Sequence, residues 1–199
     1  MSAARSTRKR ILDAAAELFQ RRGFSGFSYQ HIAAQLGVRN AAIHYHFPSK
    51  ADLGVALLGR YRDSFRWWTE QVERQGLSSA QKVAGFLELE SRYCLEGKVC
   101  PLGVVCVEFE NVTEAVRAEA AGLASDLETW LVAVLEEGRR SQELQVEGAS
   151  RPAAVVILAQ LQGGLQLARL RGHRHFQDVL HRVRENLGIS SADLMVAAS

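Results

Sequence analysis

Apolar residues recur along this chain at intervals of three and four, the spacing that gathers them on one face of a helix. Ile11, Leu12, Ala15, Leu18 and Phe19 mark a first helix, starting near Ser6 or Thr7 and ending at Gly23. Ile32, Ala33 and Leu36 mark a second, with Ser28 as its cap and Gly37 as its stop. A third short helix spans about Asn40 to His46. The stretch Ser49-Lys50-Ala51-Asp52 after Pro48 is a capping-box pattern, and the helix it opens can run to about Gln75. Ser78 with Gln81 opens the next, which ends near Gly97. Pro101 suits the first turn of a short helix through about Glu110. Asn111 with Glu114 starts a long one to about Arg140. After the loop QVEGAS, Arg151 to Gly172 and His175 to Asn186 complete the set. VVCVEF alternates briefly as a strand would, but its neighbours are helical. The pattern predicts an all-α protein.

One element departs from the amphipathic plan. The helix from about Asn40 to His46 is polar and aromatic where a core helix would be apolar. Leu18, Phe19, Phe24, Ile32, Ala33, Leu36, Val38, Ile43 and Phe47 can form a small core that holds three helices together. That leaves Arg39, Asn40, Ala42, His44 and Tyr45 on or near its free face. A helix entering a DNA major groove needs such a set. Arg suits guanine, Asn suits adenine, and Ala can meet a thymine methyl, while His and Tyr position the backbone. Lys50 adds a charge and a helix N-terminus for phosphate. The order of short helix, glycine turn, short helix and long helix describes a helix-turn-helix joined to a connecting helix.

Charge sharpens this reading. The net charge of +2 conceals eight Lys/Arg against two Asp/Glu in residues 1–50, and sixteen against twenty in residues 51–199. A basic head of +6 on an acidic body of −4 is the layout of a nucleic-acid binder with a separate second module. The N-terminal run RSTRKR can act as a flexible basic arm along the DNA backbone. The expected domains are therefore a DNA-binding head over residues 1–49 and a second helical domain over residues 50–199. The N-terminus lacks the apolar run of a signal peptide, and Gln160 and Gln162 interrupt the most apolar stretch, AAVVILAQL. With only Cys94, Cys100 and Cys106 present, a disulfide scaffold is not expected, and the chain reads as cytoplasmic.

The residues from Thr7 to Leu53 resemble the DNA-binding domain of the TetR/AcrR family of transcriptional regulators. TRKRILDAAAELFQRRGFSGFSYQHIAAQLGV and AAIHYHFPSKADL carry the likeness, the latter close to the family's usual L-Y-x-x-F-x-S-K ending. This covers about a quarter of the chain. The resemblance implies a dimeric, ligand-responsive repressor with a variable C-terminal ligand-binding and dimerisation domain. By position, Ser28 caps the second helix, and Arg39, Asn40, Ala42, His44, Tyr45 and Lys50 fall where the family contacts DNA. Arg39 stands where Ser is frequent, Ala41 where Gly is common, and His44 where Tyr is usual.

The remaining residues fit the second module. AAVVILAQLQGGLQLARL has the apolar width of a helix buried against others, and Gly163-Gly164 permits close approach. Leu161, Gly163, Gly164, Leu167 and Leu180 are the expected dimer contacts, in a four-helix bundle with the helix from His175 to Asn186; an intramolecular core helix is the alternative. Phe65, Trp67, Trp68, Phe86, Leu89, Tyr93, Leu102, Val105, Phe109 and Trp130 concentrate the large apolar side chains. They suggest a lining for an apolar or aromatic small molecule, or simply core. Cys100, beside Pro101 and near Lys98, is a candidate reactive thiolate and redox sensor, or an idle thiol. The His spacings do not predict a metal site, no cofactor is expected, and GxSxG, HExxH and phosphate-cradling glycine loops are missing. A cysteine-dependent enzyme and a protein-binding adaptor using the basic head are the competing classes.

Overall fold

In the computed structural model, which describes residues 2–190, the described residues are helical with no strand. The helices are α1 (Ser2–Arg22), α2 (Tyr29–Leu36), α3 (Asn40–His46), α4 (Lys50–Arg74), α5 (Ser79–Leu95), α6 (Pro101–Val107), α7 (Glu114–Arg140), α8 (Ser150–Arg171) and α9 (His173–Leu187). A 3₁₀ turn, Phe109–Asn111, lies between α6 and α7. The capping chemistry sets several boundaries. Ser78 Oγ accepts from the Gln81 N–H at 3.2 Å while Gln81 Oε1 accepts from the Ser78 N–H at 2.9 Å. Ser49 and Asp52 make the same reciprocal pair ahead of α4. Several boundaries differ from expectation: α6 ends at Val107 rather than about Glu110, and α9 opens at His173 rather than His175. α1 begins at Ser2, so the basic run is helix rather than a loose arm. α7 opens at Glu114 after Thr113, because Phe109–Asn111 is used by the 3₁₀ turn.

The chain divides into two compact units. One comprises residues up to Ser64 with Pro101–Leu123, the other Phe65–Cys100 with the residues after Leu123. This division differs from a cut at residue 49, because α6 and the first part of α7 pack with the head.

In the first unit α1, α2 and α3 enclose Ile11, Phe19, Ile32, Ile43 and Phe47, all buried. Phe19, Phe24 and Phe27 form an edge-to-face chain with 6.3 Å between successive rings. Truncating Phe19 to Ala is expected to cost about 3–5 kcal/mol of stability, measurable by urea unfolding. The turn after α1 needs a glycine. Gly23 has φ +80°, and a Cβ there would stand 2.1 Å from a Glu108 carboxylate oxygen.

In the second unit α5, α8 and α9 pack together. Gly164 lies at the α8–α9 contact, where a Cβ would meet the Phe176 ring at 3.0 Å and Val179 at 3.1 Å. Lys82 of α5 is buried and its ammonium pairs with Glu73 at 2.9 Å and Glu137 at 3.3 Å, tying the end of α4 to α5 and α7. α8 is long and apolar enough to cross a bilayer by length and composition alone, despite Gln160 and Gln162. Its inner side packs on α9 and α5.

Candidate nucleic-acid interface and effector site

The reading helix α3 is held by Ile43, its one buried residue, and by Phe47 at its end. Tyr45 is 81% exposed, and Arg39 and His44 are exposed beside it. Ala42 is half-buried. Asn40 is half-buried with its Oδ1 lacking a partner among the described residues. The His44 ring rests edge-on against Tyr29 at 4.7 Å. Ser28 occupies the N-cap of α2 in extended backbone, and its N–H donates to His31 Nδ1 at 3.0 Å.

Tyr29 went unnoticed in the sequence and fixes the helix-turn-helix. Its hydroxyl lies 2.8 Å from the Phe47 carbonyl and 2.5 Å from that of Ser49, so one proton is shared between the end of α3 and the start of α4. Burial, and then the nearby Asp52 charge, push the phenol up to about 12. Tyr29→Phe is expected to lower stability by about 1–2 kcal/mol, read by urea denaturation, since both carbonyls lose their donor.

Lys50 differs most from expectation. Its ammonium donates to the Phe27 carbonyl and lies 4.8 Å over the Phe24 ring and 4.5 Å over Phe27. Burial holds it below the usual lysine range against the opposing pull of Glu108. It staples the α1–α2 turn to α4 instead of projecting to solvent. Glu108, also missed, completes the clasp. Its Oε2 accepts from the Ser25 N–H at 2.7 Å. Neither role was readable, because each contact joins residues far apart in sequence. The basic run is also engaged: Arg8 lies 5.0 Å over Phe47, and Arg10 donates to the Leu36 carbonyl at 3.3 Å.

The expected effector residues separate. Trp68, Phe86 and Trp130 come together in the second unit with Phe65. Trp68–Trp130 rings are 5.1 Å apart and Phe86–Trp130 rings 5.3 Å. Leu89 and Tyr93 are half-buried on α5. Leu102, Val105 and Phe109 belong to the first unit. Phe109 is an exposed ring covered by the Arg117 guanidinium at 4.2 Å, and Trp67 is exposed, so neither lines an interior site. Cys100 is 4% exposed, and its Sγ accepts from Gln162 Nε2 at 3.0 Å. Lys98 turns to Glu96. A buried, hydrogen-bonded thiol is the opposite of the accessible thiolate expected there.

Three of the five expected dimer residues are covered within the chain. Leu161 is 2% exposed, Leu180 is fully buried, and Gly164 meets Phe176 within the same chain. Leu161 and Gly164 of α8 and Leu180 of α9 are thus covered within this chain. The side of α8 left uncovered carries Val155, Val156, Gly163, Leu167 and Leu170, the last 86% exposed.

Comparison with known proteins places this geometry. Residues 11–57 match the family described as bacterial regulatory proteins, tetR family. Residues 82–185 match the tetracyclin repressor-like C-terminal domain. The HTH-type transcriptional repressor BepR of Brucella suis is 27% identical over 186 residues, covering 91% of this chain and 88% of BepR. LmrA of Bacillus subtilis, an HTH-type transcriptional regulator, is 28% identical over 166 residues, 81% of this chain and 86% of LmrA. The crystal structure of a TetR-family regulator from Agrobacterium tumefaciens superposes with a TM-score of 0.87 at 28% identity, covering 92% of this chain and 98% of that one. These relatives are regulators and not enzymes, and the two matched segments account for both the helix-turn-helix and the helical domain behind it. The chain belongs to the TetR family of helix-turn-helix transcriptional regulators.

Proposed function

We propose that this chain is a cytoplasmic homodimeric repressor that binds a palindromic operator through α3 and lets go when a small aromatic or apolar molecule binds the second unit. The observation that carries the DNA half is the exposed set of Arg39, His44 and Tyr45 on a helix whose one buried residue is Ile43. Base edges are read by Arg39 and Asn40, with Ala42 against a thymine methyl, while His44 and Tyr45 grip the backbone. Ser28 orders the N-terminus of α2. Lys50 acts by positioning the α1–α2 turn. The corresponding functional boundary is residue 49, where the head passes into α4.

The dimer is formed by the uncovered side of α8, from Val155 to Leu170, with a second copy of itself across a twofold axis. Two α3 helices then stand about 34–36 Å apart, one turn of DNA, and read both half-sites. BepR is named as a repressor, which supports the same sign of regulation here.

The effector half rests on the cluster of Phe65, Trp68, Phe86 and Trp130, flanked by Leu89 and Tyr93. α4 is one continuous helix, so a ligand that shifts Phe65 and Trp68 pulls on Lys50 at its other end. The ligand lowers the DNA-competent fraction to the extent that it prefers the other dimer spacing. The clasp of Glu108 and Lys50 on the Gly23–Phe27 turn carries the change to the head. Tyr45→Ala is expected to weaken operator binding by at least about tenfold, the scale of one good contact, with the dimer intact. Fluorescence anisotropy on DNA flanking the chain's own gene measures the first, and size-exclusion chromatography the second. Undiminished binding by Tyr45→Ala would remove α3 from the interface.

A further inference from the structure

We infer that the effector is an aromatic organic cation, whose protonated nitrogen pairs with the Glu90 carboxylate beside the Trp and Phe rings. The inference rests on the effector reading above and names the chemistry of that same site.

Glu90 of α5 is only 8% exposed, and among the described residues no hydrogen-bond donor or cation pairs with its carboxyl. Phe86 precedes it by four residues, so the two share a face of the helix. The Phe86 ring lies 6.3 Å from Phe65, 6.4 Å from Trp68 and 5.3 Å from Trp130. Lys82, the buried cation on the same helix, is taken by Glu73 and Glu137. The ring cluster has a polar group of its own that stands alone: Trp130 Nε1 is buried without an acceptor among the described residues. A buried carboxyl four residues after Phe86 on α5, and the indole N–H of the ring cluster itself, are therefore both without a partner among the described residues.

Pure core packing does not explain this. A leucine or methionine at position 90 would bury without the desolvation penalty of a carboxyl. That penalty pushes Glu90 up to about 7, so near neutral pH the group is poised to ionise when a positive charge arrives. Ring faces reinforce the choice of charge, because the quadrupoles of Trp and Phe attract a cation over their faces. An anionic ligand would meet the carboxylate as a like charge. A neutral hydroxyl could gain a hydrogen bond, but neither the ion pair nor the ring-face attraction.

The test is isothermal titration calorimetry on the full chain at pH 7.5 with three matched pairs. These are benzylamine, 1-naphthylmethylamine and 9-anthracenylmethylamine, each against the corresponding alcohol. The expected result is that at least one amine binds tenfold or more tighter than its alcohol. Glu90→Gln should erase that preference by bringing the amine down to the affinity of its alcohol. Alcohols binding as tightly as their amines in all three pairs would overturn the cation and leave the aromatic effector site standing. A preference that survives in Glu90→Gln would do the same. Failure of all six compounds to bind would overturn both readings.

Discussion

Leu167→Glu combined with Leu170→Glu is expected to turn the protein into a folded monomer that has lost about 10²–10⁴-fold of its operator affinity, the benefit of engaging two half-sites at once. Both side chains stand on the open side of α8, Leu167 half-exposed and Leu170 almost wholly so. Charge there costs the isolated chain little, yet in a twofold contact each glutamate is brought near its own copy and stripped of water. Sedimentation velocity reads the oligomeric state, circular dichroism the fold, and anisotropy the loss on DNA. Leu161→Glu is the contrasting control. It places a charge at a buried position of the second unit and is expected to unfold that unit, because an unpaired buried charge is among the most damaging single changes. A double variant that remains dimeric would move the interface off this face.

Glu90→Gln is expected to stabilise the ligand-free protein, and the gain should depend on pH in one direction. The carboxyl titrates near 7 in the folded chain against an ordinary value of 4.5. Below pH 4.5 both states hold the proton, and the group leaves stability unchanged. As pH rises from about 4.5 to about 7 the unfolded chain releases its proton while the folded chain keeps it, so stability falls. Above 7 the full penalty, on the order of 3 kcal/mol, is present. The variant should therefore match the parent at pH 4 and exceed it by roughly that amount at pH 8, in urea titrations at equal dimer concentration. Equal stability at pH 8 would mean that Glu90 finds a partner in solution. Stability given up at a ligand-facing group is a familiar exchange, since sites made for binding are seldom the best-packed arrangement.

The helices were legible because their ends are written in local chemistry. Ser78 with Gln81, Ser49 with Asp52, and Gly37 and Gly188 in left-handed backbone each act within a few residues of themselves. The head was legible for the same reason, its apolar positions being closely spaced along the chain. Contacts across long sequence separation were not. Tyr29 reaches Phe47 and Ser49, and Glu108 reaches Ser25, with no motif to announce either. Lys50 shows a different limit: charge and position suggested a phosphate contact, but the side chain is long enough to turn inward onto two rings. On α8 the pattern was ambiguous in itself. A helix apolar on both sides does not say which of them meets α9. Leu161 and Gly164, read as dimer contacts, are covered within the chain. The aromatic cluster was visible as composition, and the burial of Glu90 on α5 was not, because nothing local distinguishes a buried glutamate from a solvated one.

The inward turn of Lys50 has a consequence for how binding responds to ionic strength. Each phosphate neutralised by a protein cation releases condensed counterions, and the slope of log affinity against log salt counts about 0.9 per contact. Lys50 is engaged by the Phe27 carbonyl and two rings, Arg10 by the Leu36 carbonyl, and Arg21 by Glu17. Such cations raise the charge of the head without each displacing an ion from DNA. The salt slope of the dimer should accordingly be shallower than a head of +6 suggests. More of its discrimination would then come from the shape and edges that α3 meets, which persist where screening has removed the rest.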